Sequence, residues 1–113
     1  MSQITTHVLD TTRGRPAQDL PIELFLKAGE GWTKLSGGET NADGRISDLL
    51  SDDVKLSAGI YRMNFDTNKY FESKGEVGFY PYVDIVFELD SNGQHYHIPL
   101  LLTAYGYSTY RGS

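Results

Sequence analysis

Short runs that alternate between apolar and polar residues constrain the fold of this chain more than any other feature of its sequence. Alternation with a period of two is typical of strands that bury one face. It is clear in residues 82–89, where Asp84 and Glu88 stand between apolar residues. Runs of this kind, separated by turn residues, cover 3–9, 21–28, 32–39, 59–66, 82–89, 94–103 and 107–111. Their near-regular spacing predicts an all-β protein, built as a β-sandwich.

The segments between these runs carry turn signals. Residues 10–16 are rich in turn formers, and residues 41–44 read Asn-Ala-Asp-Gly, a strong turn sequence. Residues 45–50, directly after it, are predicted as a further short strand. The pair Gly37 and Gly38 indicates a bulge or the end of a strand.

One segment favours a helix. Thr67 is predicted to cap its N-terminus and Gly75 to end it, which gives about two turns. The chain therefore carries seven or eight strands and one short helix. Because it contains no internal repeat, linker or low-complexity segment, we expect one domain over residues 1–113.

Composition excludes several classes of protein. The hydrophobic content of 39% and charged content of 22% are those of a soluble globular protein. A net charge of -5 argues against nucleic-acid binding, and no apolar run reaches membrane-spanning length. There are no cysteines, so neither disulfides nor thiol chemistry are expected. We expect a cytoplasmic protein, because neither a secretory signal nor a Ser-Lys-Leu ending is present.

The last twenty residues, 94–113, form a predicted strand, a tight turn and a second strand. The first of these strands has an apolar face formed by Tyr96, Ile98, Leu100 and Leu102. Its other face carries His95, His97, Pro99, Leu101 and Thr103. A histidine also lies on the face away from the predicted core in strand 3–9, at His7. The histidines and the polar ending Tyr-Arg-Gly-Ser are the features that point to function.

Several segments carry a family resemblance. They are THVLD and GRPA near the start, GRIS in the middle, and HYHIPLLL and YRGS at the end. Together they resemble the transthyretin-related 5-hydroxyisourate hydrolases, a branch of the transthyretin superfamily that acts in urate breakdown. The resemblance runs from residue 6 to residue 113, and so covers nearly the whole chain.

The resemblance implies a fold and an assembly. The family fold is a sandwich of two four-stranded sheets with one short helix, assembled as a homotetramer, a dimer of dimers. The first strand, a short fourth strand and the last two strands share one sheet, whose outer face lines a channel that holds the active sites. No metal, cofactor, nucleic acid or membrane is implied, and the expected ligand is a small purine-derived substrate.

The resemblance also implies catalytic and substrate-binding residues. His7, Arg45 and His97 match catalytic positions of the family. The terminal tetrapeptide closes the site, which makes its residues expected substrate contacts: Tyr110, Arg111, Gly112 and Ser113. Leu9 and Ser108 are expected to line the channel, and Tyr110 to narrow it. For Arg111, the alternative is a structural charge pair.

The resemblance requires Tyr110 and Ser113 to reach the same site, although they lie three residues apart. Simple alternation would send Tyr110 and Ser113 to opposite faces of a strand. Because glycine tolerates backbone angles that other residues avoid, Gly112 is predicted to bend the chain and turn Ser113 back over the histidines.

These residue types suit the implied reaction, in which water adds to a ring carbonyl of 5-hydroxyisourate and opens a C–N bond. Histidine suits the proton transfers because its ordinary pKa lies near neutrality. Arginine suits the anionic oxygens, and its charge disfavours protonation of a neighbouring histidine. Either His7 or His97 fits the role of general base.

Other interpretations remain open. His95, two residues from His97, could join it and His7 in a zinc site, although no carboxylate or thiolate stands at a tight spacing; we interpret it as a supporting or surface residue. Three tyrosines near the end resemble a base-stacking platform, but Arg111 is the one basic residue beside them and we interpret them as packing and interface residues: Tyr105, Tyr107 and Tyr110.

Two other functions fit the same fold. One is a transthyretin-like carrier of small aromatic ligands, which a bulky Tyr110 in the channel disfavours. The other is an interaction domain without chemistry, which leaves the imidazoles on one sheet face unexplained.

Overall fold

The computed structural model describes residues 2–112 and confirms a sandwich of two four-stranded sheets with one short helix. The first sheet has the order β2-β1-β7-β8, with β1 (Ile4–Asp10), β2 (Arg15–Pro16), β7 (Tyr96–Leu102) and β8 (Tyr107–Thr109). The second has the order β4-β3-β5-β6, with β3 (Pro21–Ala28), β4 (Gly31–Glu39), β5 (Gly59–Phe65) and β6 (Val83–Leu89). The helix α1 (Thr67–Ser73) follows β5.

The core lies between the two sheets and is built by the predicted alternation. The inner face of the first sheet buries Ile4, Val8, Ile98, Leu100 and Leu102, and that of the second buries Ile22, Leu24, Tyr61, Met63, Phe65, Val83, Ile85 and Leu89. Each such side chain contributes roughly 1.5–3 kcal/mol through its removal from water. The residues that alternate with this inner face therefore point outward, and this fixes the outer face of the first sheet.

The central pair of the first sheet, β1 and β7, is parallel. Thr5 pairs with His97, His7 with Pro99, and Leu9 with Leu101. Because paired residues share a face, this register places the alternating outward residues of β1 beside those of β7. The outer face of the sheet thus gathers residues that lie more than eighty positions apart in the chain.

The predicted strand at residues 45–50 is wrong. This segment consists of bends and turns, and the backbone groups of Leu49 and Leu50 bond to side chains instead: the Leu50 amide donates to Ser2 Oγ at 3.2 Å, and the Ser36 hydroxyl donates to the Leu49 carbonyl. The short strand of the first sheet is therefore not a fourth strand. It is β2, inside the segment predicted as turn, which pairs with the end of β1.

The predictions for residues 37–38 and for the helix cap need correction. The strand β4 continues through both glycines, and the bulge lies at Leu35, where the register against β3 shifts. The helix cap is Asp66, whose carboxylate accepts from the Lys69 amide at 3.0 Å. The hydroxyl of Thr67 donates instead to the Tyr80 carbonyl. After the helix, Gly75 takes the left-handed conformation with φ of 71°, as expected for a residue that ends it.

A buried polar network holds the end of β1 against the helix. The Asp10 carboxylate accepts from the Tyr70 hydroxyl at 2.7 Å, and from the backbone amide and guanidinium of Arg13 at 3.0 and 2.7 Å. Burial alone would raise the pKa of Asp10, but these hydrogen bonds outweigh it and the pKa lies below its ordinary value. The network fixes the strand that carries His7.

In residues 2–112, no helix has the length and apolar character needed to cross a membrane.

Candidate active site

The candidate site lies on the outer face of the first sheet, where two imidazoles sit on adjacent parallel strands. His7 is on β1 and His97 on β7, and both side chains are half-buried. They point away from the core because their neighbours on each strand are buried inward. The structure therefore brings together the two histidines singled out in the sequence.

Arg45 reaches the same face through the turn of residues 41–44. The Asn41 side-chain oxygen accepts from the backbone amides of Asp43 and Arg45 at 2.9 and 3.2 Å, and the Asn41 backbone amide donates to the Arg45 carbonyl at 2.7 Å. The Val8 amide donates to the Gly44 carbonyl at 2.9 Å, which docks the turn on β1. These bonds fix the backbone from which the Arg45 side chain extends.

Glycine is required at position 44 for two reasons. Its φ is 73°, in the left-handed region, and a Cβ there would lie 2.4 Å from the Val8 carbonyl oxygen. The same Cβ would lie 3.3 Å from a ring carbon of His7. The turn sequence is thus tied directly to the position of this histidine.

Both imidazoles are held neutral near pH 7. Burial lowers the pKa of His7, and the Arg45 guanidinium lowers it further, against the opposing effect of the Asp43 backbone carbonyl and carboxylate. Burial likewise lowers the pKa of His97, followed by the charges of Arg45, His95 and His7. A neutral imidazole has one unprotonated nitrogen, so the site holds two groups able to accept a proton.

The polar groups beside the two rings differ in kind. The backbone carbonyl of Asp43, which can only accept, raises the pKa of His7 and so favours a proton on the ring nitrogen that faces it. Its other nitrogen then presents a lone pair. The Nδ1 of His97 instead lies 2.8 Å from the Thr5 hydroxyl, which can donate or accept.

His95 lies outside this pair, at the exposed margin of the sheet. Its Nε2 is 2.8 Å from the same Thr5 hydroxyl, and its ring stacks beside that of His97 with a centroid distance of 6.4 Å. Among the described residues, no group of three or more histidine, cysteine, aspartate or glutamate side chains is arranged to hold a metal ion. The three histidines thus do not form the zinc cluster considered from the sequence.

The C-terminal segment runs back along β7 beyond β8. The Gly112 amide donates to the His97 carbonyl at 2.9 Å, and the two residues pair in the register already set by Leu100 and Thr109. The pairing is regular up to Gly112, and the bend predicted at Gly112 stays a prediction because it concerns the path of Ser113. Glycine is needed here because a Cβ at this position would lie 2.5 Å from Cδ2 of the His97 ring. Ser113, predicted to turn back over the histidines, lies outside the described residues.

Arg111 does not join the histidines. Its guanidinium lies over the Tyr96 ring at 4.7 Å, and its Nη2 donates to the Gln94 side-chain oxygen at 2.6 Å. Because Tyr96 and His97 point to opposite faces of β7, this places Arg111 on the side away from the imidazoles. Of the two roles expected for it, this placement fits a structural one, and substrate contact stays a prediction.

Tyr110 is 60% exposed, and the register that pairs Thr109 with Leu100 and Gly112 with His97 sets it level with Pro99 on the outer face of the first sheet. With Arg111 it lines a cleft of about 260 Å³, whose floor includes Phe87 and Ile98. Leu9 and Leu101 pair on the outer face, and Ser108 pairs with Leu101 from β8. These three residues lie where a channel lining was expected.

Two contributors to the site were missed in the sequence. Thr5 was not singled out, because its contact with His97 depends on the register of strands ninety residues apart. Asn41 was read as a turn former, and its role in placing Arg45 follows from that turn. The only sequence signal for Thr5 was its place two residues before His7, which puts both side chains on the same face of the strand.

Removing the Arg45 charge should raise the pKa of both site histidines. The guanidinium lowers these pKa values, so Arg45→Gln should let each rise toward its ordinary value of 6.5. NMR titration of the ring protons measures this directly. Arg15→Gln, the same charge change on β2, is the control and should leave both unchanged. Titrations that coincide in wild type and Arg45→Gln would contradict the inferred proximity of Arg45.

Comparison with known proteins places the chain in a family. The profile of the HIUase/Transthyretin family matches residues 4–112. A 5-hydroxyisourate hydrolase from Mus musculus is 45% identical over 99% of this chain and 96% of its own length. Among solved structures, the 5-hydroxyisourate hydrolase of Klebsiella pneumoniae superposes with a TM-score of 0.83 and 34% identity, covering 97% of this chain and 98% of its own. Sea bream transthyretin in complex with thyroxine superposes with a TM-score of 0.91 and 31% identity, covering 98% and 95%.

Proposed function

Because the chain belongs to the HIUase/Transthyretin family, we propose that its sheet-face site hydrolyses 5-hydroxyisourate to 2-oxo-4-hydroxy-4-carboxy-5-ureidoimidazoline. The observation that carries this proposal is the convergence of two neutral imidazoles and one arginine on the outer face of the first sheet. Hydrolysis of a cyclic amide needs a base for water, a partner for the oxyanion and an acid for the leaving nitrogen. The three side chains match these three needs.

In the proposed mechanism His7 is the general base. The Asp43 carbonyl favours a proton on the ring nitrogen that faces it, and the other nitrogen then takes a proton from water. The resulting hydroxide adds to a ring carbonyl carbon, and the carbonyl oxygen becomes an oxyanion. Arg45 binds this oxyanion and other substrate oxygens through its paired N–H donors.

Collapse of the oxyanion breaks the ring C–N bond, and the nitrogen must gain a proton as it leaves. His97 is the proposed acid, giving the proton from Nε2, since its Nδ1 is engaged with Thr5. We propose that the terminal segment through Ser113 closes the site over the substrate. The contact of Gly112 with the His97 backbone and ring supports this.

The second candidate function is a carrier. The likeness to a transthyretin that is solved with thyroxine supports it at the level of the fold. Burial and the charge of Arg45 lower the pKa values of His7 and His97. A carrier that performs no chemistry would have no use for such imidazoles, which disfavours this function. The absorbance of 5-hydroxyisourate, followed with and without the protein, separates the two. An enzyme accelerates its loss, whereas a carrier leaves the spontaneous rate unchanged.

We further propose that the protein is a homotetramer, a dimer of dimers. Large apolar side chains are exposed along the edges of both sheets and in the adjoining loops: Val77 at 83%, Tyr105 at 76%, Phe79 at 69% and Val86 at 57%. The edge strands β6 and β8 also leave unpaired backbone groups. A monomer would expose both features, which a closed symmetric assembly covers.

Light scattering at micromolar concentration should give four times the 12.6 kDa chain mass. A monomer mass under these conditions would contradict the proposed assembly and would leave the site open on the sheet face. The cytoplasmic location and the single domain stay predictions from the sequence.

A further inference from the structure

Thr5 occupies an unusual position between two histidines. Its hydroxyl lies 2.8 Å from Nδ1 of His97 and 2.8 Å from Nε2 of His95. The side chain projects from β1 on the same outer face as His7, and it is half-buried. Since Thr5 pairs directly with His97 in the parallel register, the β1–β7 ladder holds the hydroxyl beside that ring.

Counting protons shows what this geometry requires. A threonine hydroxyl has one proton to donate and two lone pairs that accept. If it donates to His97 Nδ1, the contact with His95 needs a proton on His95 Nε2. If it donates to His95 instead, His97 must carry its proton on Nδ1. The protonation of the two rings is therefore linked through one hydroxyl.

We propose that Thr5 is a positioning residue whose hydroxyl links the tautomer of His97 to His95 and relays a proton between them. The catalytic role of this relay rests on the proposed function, because it concerns how His97 serves as the acid. The linkage itself rests only on the two hydrogen bonds. Thr5 acts through His97 and is not assigned a contact with substrate.

The relay solves a specific problem of the reaction. Burial and the charges of Arg45, His95 and His7 lower the pKa of His97, so its ring is neutral near pH 7. A neutral ring that gives up its Nε2 proton would become an anion unless Nδ1 gains a proton at the same time. The Thr5 hydroxyl, directly at Nδ1, is placed to supply it.

The transfers balance along the chain of groups. His97 Nε2 gives its proton to the leaving nitrogen, and the Thr5 hydroxyl gives its proton to His97 Nδ1. The Nε2–H of His95 restores the Thr5 hydroxyl, and solvent protonates Nδ1 of His95, which is exposed. After product release, water returns a proton to His97 Nε2 and the chain runs in reverse.

Two substitutions at position 5 test the role of the hydroxyl. Thr5→Val keeps the shape of the side chain and removes the hydroxyl, while Thr5→Ser keeps the hydroxyl. Thr5→Val should lower kcat at pH 7–8 by roughly 10- to 100-fold with little change in KM. Its pH optimum should also move to lower pH, because His97 can then donate only as a cation. Thr5→Ser should restore both the rate and the optimum.

Ring nitrogen NMR gives a readout that does not depend on activity. The chain has three histidines, so single His→Ala variants assign every signal. In wild type and Thr5→Ser, Nδ1 of His97 should show the ¹⁵N shift of a hydrogen-bonded nitrogen; in Thr5→Val it should show that of a free one. If wild type fails to hydrolyse 5-hydroxyisourate, the proposed function fails, while the NMR comparison still decides the linkage.

Three outcomes would overturn the inference. One is a Thr5→Val enzyme with the wild-type kcat and pH optimum. The second is an unchanged His97 Nδ1 shift in Thr5→Val. The third is equal impairment of Thr5→Val and Thr5→Ser, which would reduce Thr5 to a packing residue.

Discussion

His7→Ala and His97→Ala should each lower the turnover of 5-hydroxyisourate by roughly 100- to 10,000-fold, the range expected for loss of a general acid or base. Both side chains lie on the outer face of the first sheet, outside the core that holds the sandwich together. The cost in free energy of unfolding should therefore stay within about 1 kcal/mol. Steady-state kinetics and thermal unfolding of the same preparations measure the two effects separately.

His95→Ala is the comparison variant for these two, because His95 is the outermost group of the proposed relay. His95 is exposed, and water at the Thr5 hydroxyl can restore its proton in place of the ring, so this variant should keep much of its activity. The reverse order, with His95 essential and His97 dispensable, would show that the wrong histidine of β7 has been assigned to catalysis.

Gly112→Ala should depress turnover by roughly 10- to 100-fold, although it adds a single methyl group. That methyl would lie 2.5 Å from Cδ2 and 3.1 Å from Cγ of His97, so either the ring or the terminal segment must move. Displacement of a catalytic group by about 1 Å is enough for a loss of this size. The melting temperature should change little, because the position lies outside the core.

Gly106→Ala provides the control for Gly112→Ala. Gly106 lies in the turn between β7 and β8, and the nearest atom to an added Cβ is the Thr103 hydroxyl oxygen at 3.7 Å, an ordinary contact. This variant should keep wild-type activity. If Gly112→Ala matched it, the close approach of the terminal segment to His97 would have no bearing on catalysis, and the proposed closure of the site by this segment would lose its support.

The sequence predicted the faces of the strands well, because alternation depends only on local order. Val8 and Ile98 had to point inward, which left His7 and His97 outward on the same sheet. The same reasoning could not find the two-residue strand β2, which is too short to alternate. It also misassigned residues 45–50, where hydrogen bonds to Ser2 and Ser36 replace a strand ladder.

The residues that make up the site were harder to predict than the faces of the strands. Arg45 was assigned from the family resemblance, and its approach to the histidines depends on the docking of the Asn41–Gly44 turn on β1. The sequence suggested a bend at Gly112 but not its steric role against His97, which the structure shows. Contacts of this kind depend on strand register and three-dimensional approach, which local sequence patterns do not encode.

The absorbance decay of freshly generated 5-hydroxyisourate tests the central claim most directly. It should be followed with wild-type protein and with the His7→Ala, His97→Ala double variant as the matched control. We predict a rate that rises in proportion to the wild-type protein concentration and a double variant close to the spontaneous rate. Decay at the spontaneous rate in the presence of folded wild-type protein would contradict the assignment of this site as a hydrolase.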